Sequence, residues 1–247
     1  MAVPGRIIRP PSGTLTYPGT KPGFNASHLA ASGTLISGVA SAGSFANLVP
    51  NGTAAVGTVN GGVNAPVHKI DGKIGPANYA ANNGNVSFAY PSVAWPAETT
   101  ALIYVPDAAT SASPRQLVNM SAAGNVGMFP FVDTTGAVTL SYANTNLLVM
   151  SPIVAPGVPY FIAVSVVPNS VYAGVMRRLD TGQVYAFSGT HAVGTVSGDT
   201  TLYVGNRGVN SRQSLGSIAA FMHAASFKNV QQLVQWSARP WEFWYPR

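Results

Sequence analysis

From Thr99 onward the chain alternates between short apolar runs and turn residues at a spacing of about ten residues. TALIYV (Thr100–Val105), RQLVNMS (Arg115–Ser121), NLLVM (Asn146–Met150), PYFIAVSVV (Pro159–Val167) and TLYVGN (Thr201–Asn206) are rich in β-branched and aromatic residues and read as short strands. GMFPFVDTTGAVTLSY reads as a hairpin turning at Asp133 to Gly136, and VYAGVMRRLDTGQVYAF as a second hairpin turning at Asp180-Thr181-Gly182. SIAAFMHAASF (Ser217–Phe227) is apolar at nearly every position, which fits a buried strand. The helical period appears once. Asn229 stands at an N-cap position with Gln232 three residues on, and Val230, Leu233 and Val234 give a single apolar stripe, so a helix is predicted over 229–238. Pro240 stops it, and Trp241, Phe243, Trp244 and Tyr245 follow. Those rings are expected to pack a chain end that would otherwise fray, with Trp241 and Trp244 as buried anchors.

The first half of the chain is weaker in pattern. Residues 41–98 are rich in Gly, Asn and Ala, with NVSFAY (Asn85–Tyr90) the clearest strand. Residues 1–30 carry Pro4, Pro10, Pro11, Pro18 and Pro22 among glycines, which forbids a helix and favours extended backbone. About a dozen strands, one helix and no internal repeat predict an all-β sandwich or jelly roll over residues 31–247, preceded by an extended arm over 1–30.

Composition adds to this picture in three ways. The chain has 247 residues and 47% hydrophobic content, enough for one large core, but only 8% charged residues. Typical usage is about 25% charged, so the surface here is built of uncharged polar and small residues, which suits dense assembly or a hydrogen-bonding adhesin. The net charge of +6 comes from thirteen Lys and Arg against seven acids, without a basic block, which argues against nucleic-acid binding. It is unevenly placed: Arg6, Arg9, Lys21 and Lys69 all precede the first acid, Asp71. There is no cysteine, hence no disulfide framework. MAVPGRIIRPP lacks the apolar core of a signal peptide, and the most apolar stretch, Ile153–Val167, is interrupted by Pro156, Gly157 and Pro159, so no membrane span is expected.

Candidate chemistry is sparse. Glycoside hydrolysis needs two carboxyls a few ångströms apart. The acids are Asp71, Glu98, Asp107, Asp133, Asp180, Asp199 and Glu242, and the closest pair, Glu98 and Asp107, is nine residues apart. Both are expected to be surface residues with no joint role, while Asp133 and Asp180 serve turns and Glu242 lies in the tail. There is no G-x-S-x-G elbow, and His28, His68, His191 and His223 lack metal-ligand spacing. Asp199 with Asn206 nearby is a single-carboxylate cluster, too poor for calcium and more simply a capped turn. No cofactor or metal is therefore expected. His223 shares a strand face with Phe221 and Phe227 if alternation holds; it is either part of a sugar-stacking ligand face or a core-edge histidine with a satisfied hydrogen bond, and the second is the commoner case. Arg177 and Arg178 are either an anion-binding pair on the same ligand face or a solvated hairpin end. The Asn-X-Ser/Thr tripeptides beginning at Asn25, Asn51, Asn85 and Asn119 are a coincidence of a polar chain without a secretory signal.

The last thirty-two residues, GSIAAFMHAASFKNVQQLVQWSARPWEFWYPR, resemble the end of the concanavalin A-like (laminin-G-like) jelly rolls found as virion proteins of tailed bacteriophages. Those proteins close with a strand, a short helix and a Pro-Trp-aromatic-Pro tail. GFNASHLAASGTLISGVA (Gly23–Ala40) resembles their entry segment, and VPYFIAVSVV and TLYVGNRG two central strands. The resemblance covers about two thirds of the chain, by pattern rather than by signature. It departs at SGVASAGSFANLVP, where relatives often carry acids and this chain has none. The resemblance implies a non-enzymatic structural virion protein, made in the host cytoplasm and sitting on the capsid exterior as a decoration or minor capsid protein. Its arm, through Arg6, Arg9 and Lys21, would run over neighbouring subunits, with the major capsid protein as partner and a homo-oligomer, a trimer, as the state. The alternative is a carbohydrate-binding adhesin of the phage tail that takes a host glycan.

Overall fold

The structure is a computed structural model that describes residues 25–29, 31–39, 47–50, 58–60, 67–68, 77–78, 85–89, 94–119, 127–151, 153–196, 200–206 and 214–244. The expected arm, with Arg6, Arg9 and Lys21, lies outside them up to residue 24.

Two layers of antiparallel strands face each other. The first contains β14 (Val184–Thr190), β13 (Val171–Arg178), β12 (Tyr160–Val166), β6 (Glu98–Pro106) and β16 (Gly216–Ala224), in that order. Beyond β16 it continues into β4 (Ala77–Asn78) and β3 (Val67–His68), and β1 (Thr34–Val39) also pairs with β16. The second layer is two four-stranded sheets. One is β11 (Thr145–Met150), β10 (Val138–Tyr142), β9 (Met128–Val132) and β7 (Arg115–Gln116). The other is β2 (Thr58–Asn60), β5 (Asn85–Ala89), β15 (Thr201–Val204) and β8 (Val118–Asn119). The stretch Arg115–Asn119 joins them: β7 pairs with β9, β8 pairs with β15, and Leu117 between them donates to Pro130 and accepts from Gly205. The expected β-sandwich is what forms, and both predicted hairpins turn where the sequence placed them.

The interlayer core is made by alternate residues of each strand. Leu102, Tyr104, Ile162, Val164 and Met176 of the first layer meet Val86, Phe88, Val132, Leu140 and Val204 of the second. Close approach is set by Gly174, where a Cβ would lie 2.7 Å from both Leu148 Cδ2 and Met150 Cε. The other set of alternate residues in the first layer, Ala101, Ile103, Phe161, Ala163, Val175 and Met222, is covered by the C-terminal segment.

That segment follows the sequence closely. Helix α1 spans Val230–Ala238, and Asn229 with Gln232 forms a reciprocal capping box, with N–O distances of 3.0 and 2.9 Å. A 3-10 turn at Pro240–Glu242 follows. Trp236, Trp241, Phe243 and Trp244 are all buried against the sheet, and the Trp244 indole donates to the Phe221 carbonyl at 3.2 Å. Asn25–Leu29 folds back onto this tail. Asn25 N donates to the Phe243 carbonyl at 3.1 Å, and the His28 ring sits 5.7 Å from Trp236 and 5.5 Å from Phe243.

Candidate binding site

At the end of the sandwich where β6 begins, several polar and aromatic side chains converge. Glu98 is the first residue of β6 and lies in phase with Thr100, Leu102 and Tyr104, so its carboxyl points between the layers. It is fully buried, and neither carboxylate oxygen has a hydrogen-bond partner of good geometry. Burial pushes its pKa up to about 8, with the Met128 backbone pulling weakly the other way. Glu98 is therefore mostly protonated at neutral pH, and offers one O–H donor besides its acceptors.

Facing it across the core is Tyr142, the last residue of β10, whose buried hydroxyl has no hydrogen bond of good geometry and only the Val196 backbone beside it. Burial, and then the Glu98 carboxyl, push the phenol up to about 12. Two half-buried rings stand in front. Tyr172 begins the outer run of β13, and His191 follows β14. The His191 ring centroid is 6.0 Å from that of Tyr142 and 6.3 Å from that of Tyr172. His191 Nε2–H donates to the Val167 carbonyl at 2.9 Å, and Nδ1 accepts from the Val193 amide at 3.2 Å. Those two partners fix the neutral tautomer and hold the ring in place. Tyr172 owes its position to Gly189 on the paired strand, where a Cβ would lie 2.4 Å from the Tyr172 hydroxyl oxygen. Half-buried Trp95, three residues before Glu98, packs on the same core with its indole N–H buried and unpartnered.

The contrast with the back of the same strand end is informative. There Thr99, Ser165 and Lys228 form a satisfied seam. Ser165 Oγ donates to the Glu98 carbonyl at 3.0 Å and accepts from Lys228 N at 2.9 Å, and Lys228 Nζ reaches the Ser32 carbonyl and Ser226 Oγ, each at 3.0 Å. The fold satisfies its own polar groups on that side. At the Glu98 carboxyl and the Tyr142 hydroxyl it supplies only the Met128 and Val196 backbone, without hydrogen bonds of good geometry, and buried polar groups in this state need an explanation.

The structure redistributes the residues singled out from the sequence. Glu98 is a correction: it is buried, not on the surface. Asp107 is exposed as expected, and stands nine residues further on, just past the other end of β6, about 30 Å away along an extended strand. Asp133 holds its hairpin turn, accepting from the Thr135 and Ala137 amides at 2.8 and 3.0 Å. Asp180 pairs with Arg178 at 2.9 Å, and Glu242 with Arg239 at 3.5 Å. Asp71 and Asp199 lie outside the described residues. His223 and Phe221 do not form a surface face: both are buried in the interlayer core. His223 Nδ1 is 2.9 Å from Thr100 Oγ1, and burial drives its pKa down to about 3, so it stays neutral. Arg177 and Arg178 are neighbours in sequence but point to opposite faces of β13, because strand residues alternate. Arg178 is taken up by Asp180. Among the described residues no three His, Cys, Asp or Glu side chains converge on a metal position, and no helix is long and apolar enough to cross a membrane.

No family model and no curated protein sequence matches this chain. Solved structures do, at the level of fold. A mutant of Trypanosoma rangeli sialidase with trans-sialidase activity superposes with a TM-score of 0.55 at 12% identity, over 84% of this chain and 33% of that one. The ligand-binding domain of botulinum neurotoxin serotype D, in complex with N-acetylneuraminic acid, gives 0.59 at 11% identity, over 83% of this chain and 50% of that one. The binding domain of botulinum neurotoxin DC, in complex with SialylT, gives 0.56 at 9% identity, over 84% and 51%. This chain thus spans a third to a half of the length of those structures.

Proposed function

We propose that this chain is a non-catalytic, carbohydrate-binding β-sandwich of the adhesin kind, and that the cluster of polar groups and rings at Glu98 is where it takes a glycan. The observation that carries the proposal is the pairing of two buried polar groups without hydrogen bonds of good geometry, the Glu98 carboxyl and the Tyr142 hydroxyl, with half-buried rings in front of them. A sugar needs this combination: a ring face against which its apolar C–H surface packs, and neutral donors and acceptors for its hydroxyls. A protonated carboxyl serves as both donor and acceptor. The complexes of two structures of the same fold with N-acetylneuraminic acid and SialylT support a glycan as the ligand class. A binding role fits the site better than hydrolysis. Glu98 has the raised pKa of a general acid, but no other described carboxyl perturbs it, and a second carboxyl is what the chemistry requires.

Glycan-array binding by the purified full chain tests the proposal. Binding to at least one glycan class without cleavage is expected. Tyr172→Ala should weaken it about tenfold or more, as truncating an aromatic anchor does, while the melting temperature holds. Absence of binding across the array, or turnover of a bound glycan that is lost in Glu98→Gln, would overturn the reading.

A second reading, a capsid decoration protein, has its support in the sequence: the cationic first seventy residues and the 8% charge content. Deleting residues 1–25 should then abolish loading onto particles without unfolding the sandwich, and full loading of the truncated chain would end that reading.

A further inference from the structure

We propose that the opposite end of the sandwich, around Arg115, is a binding site for an oxyanion group: a carboxylate, sulfate or phosphate.

Arg115 opens β7 and is 1% exposed. Its two terminal nitrogens donate to the Ala108 and Ala109 carbonyls at 2.6 and 2.7 Å, which fastens the loop between β6 and β7. Its Nε–H is buried and unpartnered. Among the described residues the ion pairs are Arg178–Asp180 and Arg239–Glu242, so no carboxylate neutralises this guanidinium. Asp107 stands at the same end but is exposed and beyond ion-pair distance. A guanidinium cannot shed its proton inside a protein. A buried charge of this kind calls for a counter-charge.

The groups around Arg115 are arranged to complete such a site. The Tyr104 hydroxyl interacts with the guanidinium and donates to the Ser214 carbonyl. The Ser214 amide donates to the Gly205 carbonyl at 2.7 Å, and the Gly205 amide donates to the Leu117 carbonyl at 2.8 Å, two residues after Arg115. Asn206 follows Gly205. Its side chain is fully buried with neither amide atom hydrogen-bonded, and Ser214 Oγ is likewise buried and unpartnered. The Arg115 Nε–H, the Asn206 amide and the Ser214 hydroxyl are thus buried, unused donors carried by one hydrogen-bonded backbone framework. The unused acceptors among them are the Asn206 carbonyl oxygen and the Ser214 hydroxyl oxygen, and the hydroxyl can also donate. A fixed positive charge with its own unused N–H favours an oxyanion over a neutral polyol or a metal ion. The framework is rigid, since the side chains sit on or beside the ends of β6, β7, β15 and β16.

The site is independent of the Glu98 cluster, which lies at the far end of β6. Equilibrium dialysis of the full chain against labelled acetate, sulfate and inorganic phosphate, with chloride at matched ionic strength, tests it and separates the sources of the oxyanion. Saturable uptake of one anion per chain is expected. Asn206→Ala combined with Ser214→Ala should weaken it about tenfold, as loss of hydrogen bonds to a charged group does, and Arg115→Met should abolish it. Should Arg115→Met fail to fold, Arg115→Lys keeps the charge without the fork and should still bind more weakly than the parent. No saturable uptake of any of the three anions, or uptake unchanged in the Asn206/Ser214 double variant, overturns the proposal.

Discussion

The two ends of β6 solve the same problem in opposite ways. Glu98 and Tyr104, six residues and about 20 Å apart on one strand face, are both fully buried, each within a cluster of polar groups. At the Glu98 end the ionisable group is a carboxyl, and it escapes the penalty of burial by holding its proton to about pH 8. At the Tyr104 end stands Arg115, a guanidinium 1% exposed whose terminal nitrogens are held by the Ala108 and Ala109 carbonyls. The first end is therefore suited to a neutral hydroxylated ligand and the second to an anion. On the two proposals above, one β-sandwich would separate two ligand chemistries by the charge of the buried group at each end of β6.

Trp244→Ala should have the largest effect, because it removes a fully buried anchor from the layer that supports both ends. A loss of about 3–5 kcal/mol is expected in chemical denaturation, with the pH dependence of stability unchanged in shape. A change in that shape would mean that the tail serves one end only.

The pH dependence itself separates the ends. Glu98 has a folded pKa raised from the ordinary carboxyl value of 4.5 to about 8, so its contribution is complete below 4.5 and declines as pH rises through 8. His223 has a folded pKa lowered from 6.5 to about 3, so its contribution is complete above 6.5 and declines as pH falls through 3. Between 4.5 and 6.5 the two slopes cancel, and stability should be flat there and fall on both sides, at up to ~1.4 kcal/mol per pH unit for each group. Glu98→Gln should erase the alkaline limb and leave the acid limb. Urea titrations at closely spaced pH values would read this, and an alkaline limb that survives in Glu98→Gln assigns it elsewhere.

A smaller change sharpens the view of the Glu98 end as a platform of rings. Gly189→Ala adds one methyl where the Tyr172 ring now lies. It should cost about 1–3 kcal/mol of overpacking or less, yet weaken glycan binding, although Gly189 itself offers a ligand nothing. Unchanged affinity would remove Tyr172 from the site. Smallest of all should be Asp180→Asn at the opposite end. The Arg178 guanidinium holds the Asp180 carboxyl below the usual range, but the pair is partly solvated and at 2.9 Å is worth under ~1 kcal/mol. A larger loss would show that the hairpin tip helps to frame the Arg115 site.

Much of the frame could be read from the sequence because its signals are local. Asp133 and Asp180 each mark a hairpin within a few residues, and Asn229 with Gln232 marks a helix start. The candidate sites were harder because burial is not local. Glu98 precedes Thr99 and Thr100, and ETT at a strand start reads as polar surface. Its phase with Leu102 and Tyr104 carried the contrary signal: β6 is buried on both faces, so a residue in step with them is inside. Arg115 and Gln116 were hidden likewise at the start of RQLVNMS, as neither residue type announces a buried position. Arg177-Arg178 misled in the other direction, since adjacency in sequence suggested a pair that the alternation of β13 pulls apart. Tyr142, Tyr172 and His191 come from the ends of three separate strands, and nothing in their spacing predicted that they would meet.

Asn25 is bonded to Phe243, so the chain enters the sandwich and leaves it at one spot. Mechanically, tension applied through whatever flanks the domain would be borne first by that contact and by the helix and tail beneath it. It would not be transmitted across the two strand layers, and both ends of β6 would stay in register while the entry segment peeled away.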